Sequence, residues 1–178
     1  MSSTAPERRE PIASRPYMPG YGLQDAAAGL LPWRWAEERL TASRNYFVST
    51  VSAQGRPHCV PVWGVWLEGR FFFNTGADSR KARNLARSPG CVVSTEGGGE
   101  AVIVEGEAEA LADGPLYRRF ADAYQAKYDY RPQPGADLAF VVTPTVAFGF
   151  IGNEEFTATA TRWRFADGQA EGHQRRGG

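Results

Sequence analysis

Short apolar runs separated by tight turns dominate the middle of this 178-residue chain. Residues 46–51 are β-branched and aromatic and lead to Gln54-Gly55, and residues 58–67 end at Glu68-Gly69. Such runs between glycine turns predict antiparallel strands in a meander. The repeated strand–helix pattern of a doubly wound parallel sheet does not occur. We therefore predict a mainly β fold, a barrel or sandwich of about six to eight strands with two to three flanking helices.

Three helices and a domain outline follow from the same pattern. Pro32 begins one helix, Pro115 begins a second, and residues 79–88 predict a short third. After the second helix we expect strands at 138–143, 145–151 and 156–165. Residues 1–31 are rich in proline and predict an extended N-terminal segment, residues 32–166 one folded domain, and residues 167–178 a mobile polar tail.

Charge and composition narrow the class of protein. Twenty Lys+Arg balance twenty Asp+Glu, which argues against a nucleic-acid or anionic-membrane binder. The sequence has no apolar run of membrane-spanning length and no secretory signal at its beginning. Two distant cysteines, Cys59 and Cys91, indicate a cytoplasmic protein rather than a disulfide framework. With only His58 and His173 as histidines, we expect no metal site.

Residues 74–85 carry the most informative motif, a strand end followed by a loop and a helix start. Asp78 or Ser79 is the expected N-cap, and Arg80, Lys81 and Arg83 fall in the first turns. Cations are unfavourable at the positive end of a helix dipole. Free N–H groups, a hydroxyl and three cations indicate an anion site, most simply for a phosphate. The alternative is a solvated face on which Asp78 pairs with the cations.

Two motifs of this sequence resemble those of a known protein family. The sequence Ser-Arg-Lys-Ala-x-x-Leu at 79–85 follows a strand that ends in threonine, and Val-Glu-Gly-Glu-Ala follows at 104–108. Together with the layout from about 33 to 165, this resembles the pyridoxamine 5'-phosphate oxidase-like, FMN-binding split-barrel superfamily. The resemblance implies a split barrel and a homodimer with two cofactors in clefts between its subunits.

The resemblance also implies roles for particular residues. The cofactor phosphate would be held by Thr75, Ser79, Arg80 and Lys81, with Asn84 near the same pocket. The flavin-type ring would lie along the backbone of a second-strand segment formed by His58, Cys59, Val60, Pro61 and Val62.

Differences from the family pattern indicate which branch of the superfamily this sequence resembles most. The second strand lacks the arginine and lysine of true pyridoxamine phosphate oxidases, Ala101 stands at a glutamine position, and residues 161–165 replace an Arg-x-His motif. These differences disfavour vitamin B6 oxidation. The sequence is closer to actinobacterial oxidoreductases that use the deazaflavin coenzyme F-420 or FMN, and Gly64 would leave a roomier cleft for a bulkier cofactor.

Single residues near the ring strand keep two interpretations each. His58 is either a hydrogen-bonded structural residue or a neighbour of the cofactor, a proton donor or a heme ligand. Cys59 and Cys91 are expected to be small buried hydrophobes rather than redox groups. Trp63 and Trp163 either stack on a ring or fill the core.

Arg162 and Arg164 share one face of a predicted strand. They are candidates for a second anionic end of the cofactor, against the alternative of a solvated face.

Two functions of different class remain. In the first, the protein is an oxidoreductase in which a deazaflavin or FMN passes hydride or electrons to a small organic acceptor. The chain shows no dedicated acid or base, so the catalytic residues are unknown. In the second, the protein is a flavin, deazaflavin or heme carrier without turnover.

Overall fold

The structure is a computed structural model that describes residues 10–23 and 27–166. The helices are α1 (Trp33–Ala42), α2 (Arg80–Leu85), α3 (Pro115–Tyr128) and α4 (Phe156–Thr159). The strands are β1 (Ile12–Ser14), β2 (Tyr46–Val51), β3 (Pro57–Val62), β4 (Gly64–Leu67), β5 (Arg70–Thr75), β6 (Gly90–Thr95), β7 (Glu100–Ala110), β8 (Leu138–Ile151) and β9 (Thr161–Arg164). The predicted C-terminal tail with His173, and residues 1–9 and 24–26 of the predicted N-terminal segment, lie outside the described residues.

The nine strands of the described residues form one antiparallel sheet in the order β1-β9-β8-β7-β6-β2-β3. Strand β5 pairs with β8 and carries β4 on its other side. This mainly β architecture is consistent with a split barrel and confirms the predicted fold class. The strand number exceeds the expected range by one, because β1 is added and the run 58–67 is divided into β3 and β4, while the runs 138–143 and 145–151 form one strand, β8.

Strand β8 is continuous through Pro144, so the prediction of two separate strands at 138–143 and 145–151 is wrong. A register shift between Glu105 and Gly106 of β7 leaves Thr145 unpaired in the ladder. Thr145 Oγ1 donates to the Glu105 carbonyl over 3.1 Å and holds this bulge. The outer edge of β8 therefore pairs with β5 before the bulge and with β9 after it, which splits the sheet.

The predicted strand 156–165 is only half correct, because its first part is helix α4. The Thr-Ala alternation imitates a strand pattern, but the Asn153 side chain accepts from the Glu155 N–H at 2.8 Å and begins a turn. The backbone N–H of Ala160 then donates to the Phe156 carbonyl. Only β9 remains extended, and it pairs with β1 of the N-terminal segment.

Two apolar clusters flank β5. Phe71 and Phe73 face the barrel interior under α1, whereas Phe72 faces Phe120 and the other buried side chains of α3. A strand buried on both faces explains the continuous aromatic run in the sequence. None of the helices in the described ranges combines the length and apolar character needed to cross a bilayer.

Gly64 packs into the core where β3 bends into β4. A Cβ atom there would lie 2.3 Å from Cζ of Phe71 and 2.7 Å from the Phe72 carbonyl oxygen. The expectation that Gly64 leaves room for a bulky cofactor is therefore wrong, since the space beside it is filled by the buried Phe71 ring.

Candidate functional site

The β5–α2 turn carries the residues expected to hold a phosphate. Ser79 is the N-cap of α2, and its Oγ accepts from the Ala82 N–H at 3.2 Å. Thr75 Oγ1 donates to Ser79 Oγ over 3.1 Å, so the two hydroxyls meet at the beginning of the helix. No acidic residue lies in the first turn of α2. The turn thus presents hydroxyls and N–H groups without a nearby negative charge on the helix.

The three cations of the motif differ in their surroundings. Arg80 is exposed, whereas Lys81 is partly buried and desolvation lowers the pKa of its amine. Arg83 donates to the backbone carbonyl of Asp78. Within residues 10–23 and 27–166, none of these cations forms an ion pair with the Asp78 carboxylate. The solvated-face alternative therefore lacks the acidic partner it invoked.

Asn84 connects α2 to the sheet. Its side-chain amide donates to Thr50 Oγ1 of β2 over 2.9 Å, and both residues are buried. Thr50 in turn lies opposite His58 in the β2–β3 register. Strand β2 is thus the element that joins the predicted phosphate turn to the predicted ring strand.

Within the described residues, strand β3 forms one end of the sheet order, and its open edge carries few backbone hydrogen-bond donors. Pro57 and Pro61 lie opposite Val51 and Phe47. Proline has no N–H, and ladder positions alternate, so these positions direct their backbone groups away from β2. Cys59 lies between them, and its backbone N–H and carbonyl also face the open edge. This edge therefore offers one donor from Cys59 among proline carbonyl acceptors.

The side chains of the predicted ring strand divide between two faces. His58 and Val60 are partly buried and Val62 is buried, whereas Cys59 and Pro61 are exposed on the other face. The sequence-predicted segment thus shares one backbone edge but not one side-chain face.

The cysteines and tryptophans separate into core and surface. Cys91 is buried, and burial raises the pKa of its thiol to about 12, as expected for a structural residue. Cys59 is exposed, so its predicted burial is wrong. Trp163 fills the core, whereas Trp63 is 43% exposed and stacks on Tyr128 with ring centroids 4.9 Å apart.

Tyr128, on which Trp63 stacks, is itself held by hydrogen bonds. The Tyr128 hydroxyl accepts from the Gly64 N–H at 2.9 Å and lies 2.7 Å from the carbonyl oxygens of Arg44 and Gly64. A flat aromatic surface is thereby held at the end of β3.

A cleft of about 530 Å³ lies between α2 and the β2–β3 turn. The motif at residues 74–85 does not include Arg56 and Arg87, which also line this cleft. Arg80 and Asn84 line it together with Arg56, Arg83 and Arg87. The spacing 80, 83, 84 and 87 puts these residues on one helical face and is visible in the sequence.

The two arginines predicted to bind a second anionic end of the cofactor are on a different strand from the predicted ring segment. Arg162 and Arg164 lie on β9, and the sheet order puts four strands between β9 and β3. Arg162 Nε donates to Ser14 Oγ of β1 at 3.2 Å. This contact ties the N-terminal strand to the sheet. In the described part of the chain, no cluster of three His, Cys, Asp or Glu side chains is arranged to hold a metal ion.

Comparisons with solved structures agree with this fold. The chain is similar to the conserved hypothetical protein Rv2991 from Mycobacterium tuberculosis, with 19% identity and a TM-score of 0.62 over 71% of this chain and 88% of that one. It is similar to an F-420 reductase, with 20% identity and a TM-score of 0.52 over 62% and 94% of the two chains. It is also similar to HutZ, the heme storage protein from Vibrio cholerae, with 20% identity and a TM-score of 0.52 over 63% of this chain and 86% of that one.

The sequence itself supplies the assignment to a family. No curated protein gives a significant match. Residues 35–149, which contain β2 to β7 and most of β8, match the family described as pyridoxamine 5'-phosphate oxidase. The chain therefore belongs to the pyridoxamine 5'-phosphate oxidase family.

Proposed function

We propose that the protein is an oxidoreductase that binds coenzyme F-420 or FMN at the interface of a homodimer. Such a cofactor would supply hydride or electrons for a small organic acceptor, and we propose a cytoplasmic location. The observation that carries the proposal is the β5–α2 turn, where the hydroxyls of Thr75 and Ser79 meet beside Arg80 and Lys81. The family and the similarity to an F-420 reductase support the same class of ligand.

The residues present fit a phosphate-bearing cofactor. Hydroxyl and N–H donors beside two cations are the groups that recognise a phosphate. Thr75, Ser79, Arg80 and Lys81 would hold this phosphate, while the Asn84–Thr50 hydrogen bond keeps α2 against β2. A bound flavin or deazaflavin would supply the hydride chemistry.

The chain's own part in the reaction is to bind and orient. The open edge of β3 offers the Cys59 N–H and proline carbonyls to a ring, and Trp63 follows that strand with 43% of its surface exposed. No residue is assigned as acid or base. Vitamin B6 oxidation is not proposed, since the segment 58–64 lacks the arginine and lysine that the family resemblance associates with that activity.

The homodimer is proposed on one partly exposed row of side chains across the sheet. The register aligns Phe47 of β2 with Ser94, Ile103 and Phe148 across β6, β7 and β8. Register partners point to the same face, and Phe47 is 40% exposed. A second copy would cover this row and exclude water from the neighbouring β3 edge.

Turnover tests the enzyme proposal. Purified protein is given reduced F-420 or reduced FMN with a panel of quinone, nitro and enone acceptors. The proposal expects cofactor oxidation well above the rate in free solution, and an Arg80→Ala/Lys81→Ala variant should lose it. Tight cofactor binding with no rate above the free-solution value would leave a carrier instead.

A heme carrier is the second candidate, and two observations favour it. The similarity to HutZ equals that to the F-420 reductase, both with a TM-score of 0.52. His58 is the one histidine of the described residues, and it is only partly buried on β3. Heme titration would give a Soret band that shifts or weakens in His58→Ala if this function is correct. An unchanged spectrum in that variant would exclude His58 as the ligand.

A further inference from the structure

One face of α2 is basic along its whole length. Arg80, Arg83 and Arg87 follow the helical spacing i, i+3 and i+7, with Asn84 between them. Arg87 lies just beyond α2, where its N–H donates to the Asn84 carbonyl at 3.0 Å and continues the turn. Three guanidinium groups therefore share one side of a short element.

The β2–β3 turn provides the opposite wall. Ser52 Oγ accepts from the N–H groups of Gln54 and Arg56 at 3.3 and 3.1 Å, which fixes the turn that carries Arg56. The resulting cleft of about 530 Å³ is lined by Arg56, Arg80, Arg83 and Arg87, together with Ser52, Ala53, Gln54, Asn84 and Ala86. We call it the arginine cleft.

Among residues 10–23 and 27–166, no carboxylate lines the arginine cleft. Arg56, Arg80 and Arg87 form no ion pair within the part of the chain that the structure describes. Arg83 donates to the neutral backbone carbonyl of Asp78. Like charges three and four residues apart destabilise a helix, so this arrangement costs stability without an internal compensation. An external anion would provide that compensation.

The charge of the arginine cleft is larger than one phosphate group can neutralise. A guanidinium group carries one positive charge, and a phosphomonoester carries about −1.5 to −2 near pH 7. Four guanidinium groups thus exceed what a single phosphate neutralises. Thr75, Ser79 and Lys81 do not line the arginine cleft, and Arg80 belongs to both sets. The cleft therefore begins where the predicted phosphate position ends.

We propose that the arginine cleft binds a second anionic group of the ligand, a diphosphate or a polycarboxylate extension beyond the first phosphate. This inference rests on the proposed function for the identity of the ligand's other end. It narrows the ligand class, because FMN carries a single phosphate and would leave Arg56 and Arg87 unused. Arginine forks bind phosphate and carboxylate oxygens in pairs, so both kinds of extension suit the cleft.

The test uses the full chain and two double variants. Arg56→Gln/Arg87→Gln removes two charges from the cleft and none from the predicted phosphate site. Arg34→Gln/Arg118→Gln removes the same charge from exposed positions elsewhere. The probes are inorganic tripolyphosphate, FMN, FAD and F-420 with a glutamate tail, titrated at one ionic strength. Circular dichroism confirms that each variant is folded.

We expect the cleft variant to bind tripolyphosphate roughly tenfold or more weakly, since each lost charged hydrogen bond is substantial. The affinity of the cleft variant for FMN should stay within about twofold of the wild-type value. If the extension is a diphosphate, binding of FAD should weaken as much as binding of tripolyphosphate. If it is a polycarboxylate, binding of tailed F-420 should weaken by that amount instead. The control variant should match the wild type.

Equal losses for FMN and the extended probes would overturn the inference, as would unchanged tripolyphosphate binding in the cleft variant. If no flavin binds but tripolyphosphate binding still depends on Arg56 and Arg87, the cleft stands and the proposed cofactor alone fails.

Discussion

The side-chain amide of Asn84 in α2 donates to Oγ1 of Thr50 in β2 over 2.9 Å, with both residues buried. This hydrogen bond connects the helix of the candidate phosphate site to the strand that pairs with β3. The position of the site therefore depends on a polar contact inside the protein rather than on the exposed cations alone.

Replacing Asn84 by alanine should destabilise the fold. The change leaves the buried Thr50 hydroxyl without this partner, and such a loss costs about 1–3 kcal/mol. Urea unfolding of Asn84→Ala, Thr50→Val and the double variant measures the coupling. The double variant should lose less stability than the sum of the single variants. Strictly additive losses would show that the hydrogen bond contributes nothing.

Gly64 should not tolerate a side chain. A Cβ atom would lie 2.7 Å from the Phe72 carbonyl oxygen, a backbone atom in the core. We expect Gly64→Ala to lose about 1–3 kcal/mol of stability, as overpacked sites do. Gly90→Ala is the matched control, because a Cβ there meets no atom within 4 Å. Equal stability of the two variants would refute this packing role.

Lys127 should give the fold a pH dependence. Its Nζ donates to Tyr46 Oη at 2.8 Å and to the Gly64 carbonyl at 3.2 Å. Burial, and then the nearby Arg44, lower the pKa of this amine to about 8, with Glu96 acting weakly in the opposite sense. Between pH 8 and the ordinary pKa of 10.5, the unfolded chain binds more protons than the native protein. Stability should therefore rise with pH above 8.

The comparison for this effect is Lys127→Met. Urea midpoints measured from about pH 7 to 9.5 should rise for the wild type relative to the variant only above pH 8, and the two curves should run parallel below it. The range stops there because burial raises the pKa values of Tyr46 and Tyr124, which would lower stability at higher pH. Parallel curves throughout would mean that the Lys127 pKa is not lowered.

The proposed dimer should depend on the partly exposed row that runs from Phe47 to Phe148 across the sheet. Phe47→Arg places a charge at the row's half-exposed end and should convert a dimer to a monomer in sedimentation velocity. Tyr130→Arg is the control, since Tyr130 is similarly exposed but follows α3. A monomeric wild type, or a dimer unaffected by Phe47→Arg, would contradict the proposed interface.

Local patterns predicted the elements whose signals are local. The Ser79 cap follows from a hydroxyl before a helical run, and α3 follows from Pro115 and its aromatic stripe. Strand β1 depends on pairing with β9 across most of the chain, so its three residues give no signal of their own. The continuity of β8 through Pro144 likewise needs the bulge in β7.

In the candidate site too, contacts between residues near in sequence could be predicted, whereas contacts between distant segments could not. Thr75 and Ser79 are four residues apart, so their contact is within reach of sequence analysis. Arg87 could have been found from its helical spacing to Arg80 and Arg83. The meeting of Arg56 with this face needs the β2–β3 turn to fold against α2, which no local pattern contains.

Cofactor binding tests the central claim most directly. Purified protein is titrated with FMN and with F-420 while the ligand fluorescence is followed, beside the Arg80→Ala/Lys81→Ala variant and the Arg34→Gln/Arg118→Gln control. The account predicts saturable quenching by at least one of the two ligands, lost in the first variant and kept in the second. Failure of both ligands to bind the wild type, or binding that ignores Arg80 and Lys81, would contradict it.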